Sequence, residues 1–226
     1  GRAEVALGLY RREVQLERVD GRPLTEKALD TLLSRMEQRL SHQTSHDSLT
    51  GLINRNQFKA ALEQVLRRPA RKPGALLWID IDQFRLVNDM HGFETGDRLL
   101  VAVARLLEQA RGSQVLAHVG ADKFAVFCPD AAEIDATDYA EKLRNKVVGM
   151  PFRVAGQTLS ASISVGLVKV NATDTSLGAL LQAADDALSA AKANGGNKVY
   201  CYKDDDPEIQ KHRQSVEWVV RVDDAL

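Results

Sequence analysis

Three aspartates are spaced for chemistry that needs oxygen ligands. Asp80 and Asp82 stand two residues apart in WIDID, so the alternation of an extended strand puts both on one face. Asp122 belongs to GADKF, residues 120 to 124, a short turn between the apolar stretches VLAHV and AVFC. Carboxylates brought together in this way can hold Mg²⁺ and orient phosphate oxygens. Aspartates at strand ends also cap the next helix or stand in solvent, so spacing alone leaves cap and ligand both open. Lys123 places an ammonium beside Asp122, where such a site would need an acid. His42 and His46 are four residues apart, but Gln43, Thr44 and Ser45 between them lack a metalloprotease glutamate, and the pair reads as solvated helix histidines.

These residues must be positioned by alternating helices and strands. ALLWIDI (75 to 81) is an almost unbroken apolar run, which predicts an inner strand covered on both faces. The stretches QVLAHV (114 to 119) and KFAVFC (123 to 128) flank Gly120 as a hairpin. QTLSASISVGLVKV (157 to 170) alternates as one long strand, and KVYCY (198 to 202) is a last one. Helices are predicted over 25 to 40, 56 to 67, 135 to 148 and 176 to 194, with a further long one after a break at DMHGFETGD (89 to 97). SHDSLTGLINR (45 to 55) reads as a turn. The order predicts an α/β or α+β sandwich of ferredoxin-like type, with a five-stranded mixed sheet covered on both faces. Residues 1–45 form an N-terminal segment with its helix, 46–203 the domain, and 204–226 an amphipathic connector helix.

Thirty basic residues against thirty-one acidic ones leave a formal charge of −1, so no global field draws the chain to nucleic acid or an anionic membrane. An anionic ligand must be held by a local site. Cys128 and Cys201 match no metal spacing and read as packing thiols of a reducing cytosol. No apolar run approaches the roughly 18 residues of a membrane span.

HDSLTGLINR, ALLWIDIDQFRLVNDMHGFETGD, the hairpin at GADKF and AADDALSAAKANGGNKV, in that order, resemble a GGDEF domain, the catalytic module of diguanylate cyclases. The resemblance covers about residues 46 to 203. It implies a palm-type sheet like that of nucleotidyl cyclases, and two facing domains that condense two GTP molecules to cyclic di-GMP with Mg²⁺. It also implies that Asp80 and Asp122 are metal ligands, that the backbone at Phe84 and Arg85 cradles phosphates, that Asn88 and Asp97 read the guanine edge, and that Lys192 meets the terminal phosphates. The tail resembles the connector into an EAL phosphodiesterase domain, which would make that domain a neighbour in the same protein and a homodimer a second partnership.

The departures from the family pattern imply a degenerate site. In Gly120, Ala121, Asp122, Lys123 and Phe124, alanine replaces the second glycine and lysine replaces the glutamate. An ammonium about 4 Å from a divalent ion is repelled by about 8 kcal/mol at an effective dielectric near 20. Gly196 stands where the family has a phosphate-binding arginine, and Ser189 where a tyrosine is common. The product-inhibition pair appears as Arg111 and Gln114, without its carboxylate. The expectation is a regulatory domain inactive as a cyclase, with GTP as ligand, Mg²⁺ binding weakened, and Lys123 itself standing between Asp80 and Asp122 in place of the cation. A weakly active cyclase and a ligand-free dimerisation spacer are the alternatives.

Overall fold

The computed structural model describes residues 44–68, 73–112, 114–129, 135–154, 156–170 and 176–203, together with Thr31 and Ser34. The chain divides into two compact units, Gly1–Thr44 and Ser45–Leu226. The connector helix expected over 204–226, and the helix expected over 25–40 apart from Thr31 and Ser34, lie outside the described residues.

The elements run in the order β1 (Ile53–Asn54), α1 (Arg55–Leu66), β2 (Gly74–Ile81), α2 (Phe84–His91), α3 (Phe93–Ala110), β3 (Val115–Gly120), β4 (Lys123–Cys128), α4 (Ala136–Val148), β5 (Phe152–Val154), β6 (Gln157–Leu159), β7 (Ile163–Val170), α5 (Leu177–Ala193) and β8 (Val199–Cys201). Six strands form one mixed sheet in the order β1-β3-β4-β2-β7-β8. β2 is interior, antiparallel to both β4 and β7, and every one of its residues is buried. The apolar run thus folds as its composition predicts, since a strand covered on two faces has no solvent face on which to alternate.

The sheet differs from the five-stranded expectation in two places. Ile53–Asn54, read as turn, is a two-residue edge strand parallel to β3, too short to carry a periodic signal. The single long strand expected over 157–170 is two. β6 pairs with β5 in a separate two-stranded ribbon, and only Ile163–Val170 joins the main sheet. The break expected over 89–97 narrows to Gly92, whose φ of 81° lets α2 pass directly into α3.

Odd-numbered residues of β2 (Ala75, Leu77, Ile79, Ile81) pack with Leu99, Val103 and Leu107 of α3 and with Leu143 of α4. Leu76 and Trp78 face the other way, onto Phe58 and Leu62 of α1 and Leu180 and Leu188 of α5. Side-chain alternation therefore assigns the even-numbered Asp80 to the α5 face. α5 lies close on that face because Gly166 of β7 has no side chain; a Cβ there would overlap the backbone at Ala184, Ala187 and Leu188. Ser176 caps the start of α5 by accepting from the Ala179 N–H. This contact brings Asp185 and Lys192 over the C-terminal end of β2.

Candidate nucleotide site

Asp80 is almost fully buried, with 1% of its surface exposed. Lys192 Nζ approaches Asp80 Oδ1 to 2.7 Å, an ion pair between a half-exposed ammonium and a buried carboxylate. Burial pushes the Asp80 carboxyl up to about 6. Lys192 acts against that rise, the Asp122 charge adds to it, and Lys123 makes the smallest of these contributions, a downward one.

Lys123 opens β4 directly opposite Asp80. Its ammonium donates to Asp185 Oδ1 of α5 at 3.1 Å, in a half-exposed ion pair. The expected bridge of Lys123 between Asp80 and Asp122 is thus corrected. The cation in contact with Asp80 is that of Lys192, and Lys123 is drawn to Asp185. The sequence missed Asp185 because its relation to the hairpin depends on how closely α5 approaches Gly166, and the available signal was a glycine inside a strand.

Asp82 shares the α5 side, as strand alternation predicts, but it does a different job. It accepts from Ser162 Oγ at 2.7 Å, from Ser164 Oγ at 2.5 Å and from the Asn197 N–H at 2.8 Å. With both oxygens so occupied, this carboxylate clamps the end of β2 to β7 and to the loop after α5. Gly196 has φ 67°, and a Cβ there would stand 3.1 Å from Asp82 Oδ1.

The signature turn is tight. Gly120 has φ 127° and Ala121, unusually for alanine, φ 48°. The Ile81 N–H donates to the Asp122 carbonyl at 3.2 Å, tying the turn to the end of β2. Two lysine ammoniums stand near these carboxylates, Lys192 on Asp80 and Lys123 on Asp185, and among the described residues no three acidic, histidine or cysteine side chains are grouped to hold a metal.

Phe84 and Asn88 lie on the side of α2 that meets α3, where a Cβ on Gly96 would overlap Asn88 Oδ1. That oxygen is buried and accepts no hydrogen bond. Asp97 is exposed one turn into α3 and lines a groove of about 440 Å³ with Leu49, Glu94, Arg98, Arg105 and Phe152. Lys192 and Gly196 line a separate cleft of about 620 Å³ with Asp82, Gln83, Leu86 and Met90. Arg85 is exposed and reaches Asp89 at 3.7 Å. Gln114 is 7% exposed and its Oε1 has no hydrogen-bond partner, while Arg111 caps the C-terminus of α3. Ser189 is half-buried on α5. Cys128 is buried in the core, which pushes its thiol up to about 12.

A family model described as "Diguanylate cyclase, GGDEF domain" matches residues 44–198. The chain belongs to the GGDEF family. Solved GGDEF structures share its palm-type α+β fold. The coiled coil and GGDEF domain of DgcB from Caulobacter crescentus, crystallised with c-di-GMP, superposes with a TM-score of 0.72 at 25% identity over 77% of this chain and 94% of that one. The GGDEF domain of TpbB from Pseudomonas aeruginosa gives 0.67 at 34% identity, over 74% and 99%. Among whole proteins, the chain is 37% identical over 158 residues to the response regulator PleD of Caulobacter vibrioides, covering 68% of this chain and 35% of PleD. It is 29% identical over 192 residues to the cyclic di-GMP phosphodiesterase PdeB of Shewanella oneidensis, covering 84% of this chain and 22% of PdeB. The GGDEF chain therefore spans about a fifth to a third of the length of these curated relatives. No helix among its described residues is long and apolar enough to cross a membrane.

Proposed function

We propose that this GGDEF domain acts in cyclic di-GMP signalling without turnover, binding GTP through its guanine-reading residues and regulating an adjacent EAL domain. The observation that carries this reading is the position of Lys123, which opens β4 directly opposite buried Asp80 where the family pattern has a glutamate. The carboxylate that a metal mechanism would use thus faces an ammonium on the neighbouring strand, with the Lys192 ammonium 2.7 Å away. Nucleotide binding is supported by Asn88, whose side-chain oxygen is buried without a donor, and by exposed Asp97. A neutral amide and a carboxylate together complement the donors and acceptors of a guanine edge. The relative PdeB, named as a cyclic di-GMP phosphodiesterase, supports a phosphodiesterase domain as the regulated partner.

The test is calorimetric titration with GTP, with and without Mg²⁺, beside an assay for cyclic di-GMP. The expected result is binding of similar affinity in both conditions, weakened at least tenfold by Asn88→Ala, with no product. Product formation, or binding seen only with Mg²⁺, would establish the weak-cyclase reading instead. No binding in either condition would leave a dimerisation spacer.

A further inference from the structure

His118 lies on β3, two residues before the signature turn, and is 8% exposed. Its side chain is on the sheet face opposite the Lys192 site, beside the Phe124 ring at 5.0 Å between centroids. Each ring nitrogen faces an oxygen that can only accept. Nε2 is 3.0 Å from the Ala121 carbonyl. Nδ1 is 3.1 Å from Asp47 Oδ1, without the alignment of a full hydrogen bond, so that contact depends chiefly on charge. Asp47 is itself fixed in the turn before β1, accepting from the Thr50 N–H at 2.8 Å and the Thr50 hydroxyl at 2.7 Å.

A neutral imidazole carries one N–H and one lone pair. If Nε2 holds the hydrogen, the Nδ1 lone pair faces a carboxylate; if Nδ1 holds it, the Nε2 lone pair faces a carbonyl. Only the imidazolium satisfies both partners. We infer that His118 is a proton-operated latch that joins the entry turn at Asp47 to the signature turn at Ala121 when charged and releases one of them when neutral. Asp47 is the only charged group that forms an ion pair with the ring among the described residues. β1 presents Asn54 opposite His118 in register, β4 presents Phe124, and the charged residues at the start of α3, Glu94, Asp97 and Arg98, line the groove with Leu49. The consequence is regulatory. The left-handed backbone of Ala121 is held in part by the His118 bond, and Asp47 faces the same ring, so proton concentration joins the geometry of residues 120–123 to that of residues 47–50.

The experiment is amide NMR of the 226-residue chain between pH 5 and 8, the range in which histidine changes charge. The backbone amides of Thr50, Ala121 and Asp122 should move together, with the midpoint of the His118 ring resonances. In His118→Arg, whose charge is permanent, the three amides should stay near their low-pH positions throughout. In His118→Gln they should cease to titrate. Amides of the two turns that titrate with different midpoints, that do not move in the wild type, or that still move in His118→Arg would overturn the latch.

Discussion

Asp80 and Lys192 meet at 2.7 Å across the end of the central strand, the acid almost wholly buried and the ammonium partly exposed. Breaking a buried pair from one side leaves a charge with neither water nor partner. The pairing therefore makes Lys192 part of the domain's structure as well as a candidate phosphate ligand, and nucleotide phosphates would have to compete with Asp80 for it.

Lys123→Glu should change how the domain responds to Mg²⁺. The lost pair with Asp185 is half-exposed and worth about 0–1 kcal/mol. The new carboxylate, opposite Asp80 in register and next to Asp122, adds like-charge repulsion. The melting temperature should fall in EDTA and recover in part as Mg²⁺ is added, while the wild type changes little. Equal responses of the two proteins to Mg²⁺ would contradict this.

Asp82→Asn should be destabilising by about 2 kcal/mol, because hydrogen bonds to a charged acceptor contribute about 1.5–3 kcal/mol each and one amide NH₂ now faces donors. Urea unfolding should show a lower midpoint with an unchanged slope.

Ala121→Gly should raise stability by about 0.5–1 kcal/mol. Alanine at φ 48° pays the left-handed penalty that glycine escapes, which outweighs the greater freedom glycine gives the unfolded chain. A denaturation midpoint at or below that of the wild type would refute it.

Gly196→Arg, which restores the arginine of the family pattern, should cost about 1–2 kcal/mol, the left-handed penalty for a residue with a Cβ. The added Cβ also presses on Asp82, at 3.1 Å from its Oδ1. Lower thermal stability together with no gain in GTP affinity is the expected pair of results.

Asp47 sets a pH dependence of stability. Burial alone would raise its carboxyl, but the Thr50 hydroxyl and N–H and the nearby His118 outweigh that and hold it below its usual 3.8. A depressed folded value means stability present above the unfolded value and lost as pH falls through the folded one. Asp47→Asn should therefore be less stable than wild type at pH 7, with the gap closing below about pH 4 in acid titrations followed by circular dichroism.

The parts of the fold legible in the sequence were those with local causes. ALLWIDI declared a buried strand by having no polar alternation, GADKF a hairpin by its glycine, and 176–194 a helix by its alanine-rich run and the two glycines that end it. β1 left no such mark, since two residues have no period and their pairing with β3 is a tertiary fact. Alternation continued through Ser160 to Ser162, which hid the change of partner from β5 to the main sheet. At the site, Asp80, Asp122 and Lys123 were readable from the motif. The counter-charges of Asp80 and Lys123 were not, because Lys192 and Asp185 reach them only through the close seating of α5 on Gly166. The roles of Asp82 and His118 were likewise invisible, for their partners lie far away in sequence or on another element.

The Asp82 clamp has a consequence for how the domain comes into being. Its donors are 80, 82 and 115 residues further along the chain. Closing loops of that size costs entropy before any contact offsets it. During synthesis Asp82 emerges long before Ser162, Ser164 and Asn197, and until they follow it has nothing to hold. A nascent chain can thus assemble β2, β3 and β4 early, yet the floor beneath Lys192 and Gly196 takes its shape only once the end of the domain has arrived.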